Sequence, residues 1–233
     1  MKVAAIAAHP DDIEIACAGT LLKCRERGDE IYMVAVCNGN MGHKVIMPDE
    51  LARIREEEFR RSAKMAGATP VMLGYGDANA FDNKECRDRL TGVLKEIRPD
   101  LIITHSPNDY MPDHVAVSNL VFSASFASSL THYPPAEYDG TDVVPIAFMD
   151  NLAGNGFVPN EYVDISSVIE TKIRMLESHE SQLKWMREHD RIDFAEFVRS
   201  CSHVRGLQCG VDYAEGFCMS GAWGRVRPYR MLP

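Results

Sequence analysis

Several features are missing from this chain, and each absence narrows what it can be. No apolar run approaches the roughly 20 residues needed to cross a bilayer. The opening segment meets acids at Asp11 and Asp12 and has none of the basic start, long apolar core and cleavage site of a secretory signal, so no export is expected. The seven cysteines include no C-x-x-C pair, which argues against a zinc ribbon or a thioredoxin-type site. Reduced, structural thiols in a cytoplasmic protein are expected instead. Positive charge is scarce: 25 Lys and Arg against 34 Asp and Glu give a net charge of -9. Binding to a nucleic-acid backbone needs clustered Lys and Arg, so that partner is not expected, and neither is a membrane. No G-x-G-x-x-G follows the first apolar run, and no G-x-S-x-G occurs. A dinucleotide fingerprint and a serine-hydrolase elbow are thereby disfavoured. Repeats, low-complexity tracts and obvious linkers are also lacking.

What is present is an ordinary globular composition, 45% hydrophobic and 25% charged over 233 residues, enough for one sizeable domain. "KVAAIAA" (2–8) and "EIYMVAVC" (30–37) read as strands separated by a helix over about 12–27. A charged helix over 48–66 begins at Pro48 and Asp49 and stops at Gly67. Strands follow at 71–77 and 100–106, with an amphipathic helix (84–98) between them. A helix (113–130), a strand (143–149), a long helix (167–189) and another (194–208) complete the pattern, before an aromatic, basic tail read as a strand with an edge loop. Strands alternating with helices predict an α/β fold, a Rossmann-like, mostly parallel sheet with helices on both faces. Residues 1–233 are expected to form a single domain with an irregular C-terminal extension.

In such folds ligands bind outside the carboxyl ends of the strands. "HPDD" (9–12) follows the first strand and "HSPNDYMPDH" (105–114) the fourth, so two motifs rich in metal-ligand residues meet at one rim. Taken alone, "HPDD" can be a strand-end turn with an Asp helix cap. The second motif at the same rim favours a cation. His9 and Asp12 are spaced to share one, with a third ligand among His105, Asp109, Asp113 and His114. Asp11, beside a ligand, is the natural proton acceptor.

These motifs resemble the A-H-P-D-D signature of the LmbE-like or PIG-L family of zinc-dependent de-N-acetylases. The likeness continues through Gly19 and Thr20, "IREEE", "LGYGD", the 105–114 motif, "HESQ" (179–182) and "AEGF" (214–217). The resemblance implies a metal held by His9, Asp12 and His114, with Asp11 as general base. It places Arg55 on a family arginine that helps hold the site, the candidate substrate-binding residue. It places Asp113 on a catalytic-site acid that in relatives orients a histidine. That histidine is absent here, because the position is Met111. The implied metal is zinc, with iron, cobalt or another divalent ion sharing such ligands. The implied substrate is a small N-acetylated amino sugar or conjugate, and a homo-oligomer is compatible with the family.

Read without the resemblance, Arg55 in "RIREEEFRR" is a solvated charge. His105 is a strand-end residue, His43 an exposed loop residue, and His132, His179, His189 and His203 are structural. The expected function is removal of an N-acetyl group from an N-acetylglucosamine-type sugar. The alternatives are a metal-binding relative with weak or no turnover that acts as a sugar-binding protein, and a nucleotide-binding α/β protein without metal.

Overall fold

The segment KVAAIA is apolar at every position after Lys2, the pattern of a strand covered on both faces. It forms β1 (Lys2–Ala7) near the centre of a seven-stranded sheet. The structure is a computed structural model that describes residues 1–135, 137–152 and 156–227. The other strands are β2 (Glu30–Cys37), β3 (Thr69–Tyr75), β4 (Leu101–His105), β5 (Ile146–Met149), β6 (Glu161–Asp164) and β7 (Ala214–Met219), in the order β3-β2-β1-β4-β5-β7-β6. The first five are mutually parallel; β7 runs antiparallel to both β5 and β6. The expected Rossmann-like α/β sheet is therefore present, with a mixed edge built from the C-terminal third.

Side chains alternate across β1. Val3, Ala5 and Ala7 pack with Ile13, Leu21, Phe59, Ile173 and Val198. These come from α1 (Asp12–Ala16), α2 (Ala18–Glu26), α3 (Pro48–Ala66), α6 (Ile169–Glu177) and α8 (Phe194–Cys209). Ala4 and Ile6 face the other way, toward Leu90, Leu94, Val117 and Val121 of α4 (Lys84–Ile97) and α5 (Pro112–Ala127). Local signals set the ends of several helices. Pro48 opens α3 and Gly67 closes it in the left-handed region at φ 63°. Asn83 caps α4 by accepting the Cys86 N–H.

Three expectations need correction. The helix expected over 12–27 divides at Cys17, whose φ of -147° interrupts the helical ladder. The helix expected over 167–189 breaks at Ser178 and His179 into α6 and α7 (Glu180–Trp185), then widens into a π-helical turn, Met186–Asp190. The short strand β6 was not expected; four residues carry too little alternation to register. The tail contains β7 as read, while 228–233 lie outside the described residues.

Two family-like motifs turn out to splice this edge to the core. Glu215 on β7 accepts the backbone N–H groups of Gly19 (2.8 Å) and Thr20 (2.6 Å) in the first turn of α2, and the Lys172 ammonium (2.7 Å). A carboxylate there satisfies donors that the helix itself leaves unpaired. No helix among the described residues is long and apolar enough to cross a membrane.

Candidate active site

The sheet order reverses between β1 and β4, since β1 pairs with β2 on one side and β4 on the other. Connections leave in opposite directions there and open a crevice beyond the carboxyl ends of both strands. A cleft of about 400 Å³ occupies this position, the scale of a small-molecule site. His9, Asp11 and Asp12 enter it from the turn after β1, and His105, Asp113 and His114 from β4 and the start of α5.

The turn after β1 is folded by its own side chains. Asp12 Oδ2 accepts the backbone N–H of His9 at 2.7 Å, which draws the carboxylate back over the strand end instead of capping α1. Asp11 adopts φ 120°, a conformation costly for any residue but glycine. The consequence is a separation of the two acids: Asp12 faces the imidazoles, while Asp11 faces Arg55.

Three donors converge. Asp12 Oδ2 lies 3.3 Å from His9 Nδ1, and Asp12 Oδ1 lies 3.2 Å from His114 Nε2. Zinc bonds of about 2.0–2.1 Å arranged tetrahedrally place neighbouring donors about 3.3 Å apart, so these separations fit one shared cation. His114 Nε2, the nitrogen that faces Asp12, is buried without an aligned hydrogen bond, as expected of a metal donor. The outer nitrogens are backed by carboxylates. His9 Nε2 meets Asp113 Oδ2 at 3.0 Å, and His114 Nδ1 meets Asp109 Oδ2 at 3.1 Å. Carboxylates behind imidazoles are the arrangement that orients metal-ligating histidines.

The electrostatics agree. Burial works against charge on His9 and His114, yet the neighbouring acids override it. Asp113 and Asp12 raise His9 to about 10, and Asp12 and Asp109 raise His114 to about 9. Burial alone would lift Asp12, but the imidazoles hold it well below the carboxylate range. The cluster demands positive charge at its centre, which a divalent ion supplies without protonating the ligands.

His105 does something else. Its Nε2 accepts the Ala8 N–H at 2.9 Å, and its ring stacks on His114 at 3.9 Å. Burial and His114 push it down to about 4, so it stays neutral and fixes the strand end and the His114 ring.

Arg55 is not a surface charge. It is 3% exposed, with Nη2 2.9 Å from Asp11 Oδ1 and Nη1 donating to the Gly39 carbonyl at 3.3 Å; Nη2 also donates to the Pro10 carbonyl. Gly39 is required beneath it: a Cβ there would come within 2.5 Å of the guanidinium. Burial raises Asp11 above the usual carboxylate value, with Arg55 opposing. Asp113 is paired with His9 and accepts the Ala78 N–H at 2.9 Å. Met111 lines the cleft, and its own N–H donates to Asp109 at 2.9 Å.

Sequence reasoning missed the supports behind the site. Glu14 and His179 are both fully buried, with Oε1 and Nε2 3.1 Å apart. Glu58 of α3 accepts the Ser181 N–H at 2.8 Å and its hydroxyl at 2.7 Å, and Gln182 reaches the Gly42 carbonyl at 3.4 Å. "HESQ" thus ties α1, α3 and the loop after β2 together behind Asp11 and Arg55. The signal available was the pairing of lone acids on two helices with one polar tetrapeptide, too weak to read unaided. Asp77 of "LGYGD" accepts the Gly39 and Met41 N–H groups and shapes that loop. Tyr110 lines the cleft with an edge toward His114. His43 remains outside the cleft against Trp185; His189 stacks on the same indole, and His203 bonds the Asp212 carbonyl. His132 is exposed.

Comparison with known proteins agrees with this geometry. The family model described as GlcNAc-PI de-N-acetylase (PIG-L) matches residues 4–125. The diacetylchitobiose deacetylase of Thermococcus kodakarensis is 29% identical over 226 residues, covering 92% of this chain and 81% of that protein. The crystallised N,N'-diacetylchitobiose deacetylase of Pyrococcus horikoshii superposes with a TM-score of 0.81 at 28% identity, covering 94% of this chain and 83% of that one. The 4-carboxy-2-hydroxymuconate hydratase of Pseudomonas putida KT2440 superposes with a TM-score of 0.84 at 22% identity, covering 99% and 100%, a likeness of fold alone.

Proposed function

The chain belongs to the GlcNAc-PI de-N-acetylase (PIG-L) family, and we propose that it is a metal-dependent amide hydrolase that removes the N-acetyl group from an N-acetylglucosamine-type sugar or sugar conjugate. One observation carries this reading: His9, Asp12 and His114 bring three ligand atoms within 4.8 Å of one another, with Asp11 alongside and held by Arg55. The proposed ion is zinc, because two imidazoles and one carboxylate leave a position open for water. Iron and cobalt accept the same donors.

A bound divalent ion lowers the pKa of a water toward neutrality and polarises an amide carbonyl. The chain's own residues do the rest. Asp11 is the proposed general base: it takes the proton of the attacking water and returns it to the departing nitrogen. The water oxygen joins the acetyl carbon, the C–N bond breaks, and acetate and the free amine result. Arg55 is proposed to hold Asp11, since its guanidinium is already engaged with Asp11 and two backbone carbonyls; this replaces the expected role of direct substrate binding. Asp113 is proposed to orient His9 rather than a histidine at position 111. Residues 1–233 act as one catalytic unit on a small N-acetylated amino sugar. A reducing, cytoplasmic setting is supported by seven free cysteines, four of them buried.

The test is amine release from diacetylchitobiose by zinc-loaded protein, together with metal content. Wild type is expected to bind one ion per chain and turn over. His9→Ala is expected to remain folded while losing both. Retention of the ion in that variant would refute the ligand set.

A further inference from the structure

The walls of the cleft carry information about the part of the substrate beyond the sugar. Five aspartates line it, Asp11, Asp12, Asp77, Asp113 and Asp150, while among the described lining residues Arg55 is the single Lys or Arg. Arg55 is buried and directed at Asp11 and backbone carbonyls. Two further cations, Arg205 and Lys44, are likewise engaged. Arg205 donates to Asp150 at 2.6 Å and to Gln208 at 2.9 Å. Lys44 lies outside the cleft, 2.6 Å from His189. Even with a divalent ion among the imidazoles, negative charge outweighs positive charge in this space. Away from the donors the lining is largely apolar, with Ile15, Met41, Met111, Leu152, Met186 and Phe194. Methionine side chains adapt to irregular apolar shapes.

We infer that the cleft selects an amino-sugar conjugate whose aglycone is uncharged and has an apolar face, and that it rejects an anionic aglycone. The inference rests on the deacetylase reading above and narrows its substrate class. Its physical basis is exclusion: an aglycone carboxylate would lose water beside like charges with no uncommitted Lys or Arg among the described lining residues to receive it. A second sugar, an aryl group or an alkyl chain loses nothing polar against the methionine and phenylalanine wall.

The experiment compares three probes with the same N-acetylglucosamine head: diacetylchitobiose, the phenyl glycoside and the malate glycoside. Amine release by zinc-loaded protein is measured at low and high salt. The neutral probes are expected to show kcat/KM at least about tenfold above the malate conjugate. The gap should narrow as salt screens the aspartates. Equal or faster turnover of the malate conjugate would overturn the inference. Met186→Lys, which places a cation on the apolar wall, should shift the ratio toward malate; an unchanged ratio in a folded, zinc-loaded variant counts against the field as the cause. If no probe releases amine, the deacetylase reading fails separately. Calorimetric binding of the three glycosides then decides the inference: the same order supports it, while equal binding, reversed order or no binding removes it.

Discussion

The Oδ2 atom of Asp113 lies 3.0 Å from His9 Nε2 and takes the Ala78 N–H at 2.9 Å, so one carboxylate oxygen joins the first candidate metal motif, the second, and the loop after β3. Such a contact fixes the imidazole plane and leaves Nδ1, 3.3 Å from Asp12, facing the centre of the cluster. Asp113→Asn should therefore weaken metal affinity by about 10–100-fold without unfolding the protein. Competition with a chelator of known affinity measures this, and an unchanged affinity would detach Asp113 from the site.

Asp11 is assigned the proton transfer and no ligand bond. Asp11→Asn keeps the size of the side chain and one acceptor for Arg55 but removes its basicity. Metal content should stay at the wild-type level while kcat falls by about 10²–10⁴. A drop of only a few-fold would mean that another group accepts the proton.

Met111 stands where relatives are expected to carry an imidazole. In this chain the carboxylate that would orient such a ring is engaged with His9 and Ala78. Met111→His should therefore leave metal content unchanged and alter kcat by no more than about threefold, far below the effect of supplying a missing general acid. A gain of a hundredfold would show that the wild-type chain lacks its proton donor.

Glu14 and His179 are buried beneath the site without other aligned partners among the described residues. His179→Leu leaves Glu14 uncompensated in the interior and should cost about 3–5 kcal/mol in denaturant unfolding. The double variant Glu14→Leu/His179→Leu should recover most of that loss. If the single and double variants are equally unstable, packing and not charge is what the pair supplies.

The same pair has a pH signature. Burial lowers His179, but the Glu14 carboxylate more than offsets it, so the folded value lies above the usual 6.5. A raised folded pKa means that the folded state holds the proton longer than the unfolded chain. The contribution is fully present below about 6.5 and disappears as pH rises through the folded value. The stability difference between wild type and the double variant should therefore shrink on going alkaline. A difference that is flat or grows with pH would contradict a charged pair.

Much of this protein was legible in the sequence because the relevant signals are local. The eight residues of β2 and the nineteen of α3 end where apolar runs, Pro48 and Gly67 say they should. Strand–helix alternation then dictates a parallel sheet, and a parallel sheet dictates that His9 and His105 share a rim. The helix breaks at Cys17 and His179 were hidden, because apolar periodicity continues across both while the chain turns to meet Ile165 and Glu14.

Which acid serves which base was decided only by the tertiary structure. Asp109, Asp113 and His114 are nearly adjacent in sequence, yet α5 directs His114 at Asp12 and Asp113 at His9, while Asp109 backs His114 from the preceding loop. Arg55 reads as one charge in a charged helix until packing of α3 buries it against Asp11. The sequence alone determined that candidate cation donors gather at one rim, since donor types and strand ends are written in residue order. Pairings between side chains far apart in the chain depend on helix rotation and on the strained turn at Asp11, and those are fixed only when the whole sheet and its covering helices pack.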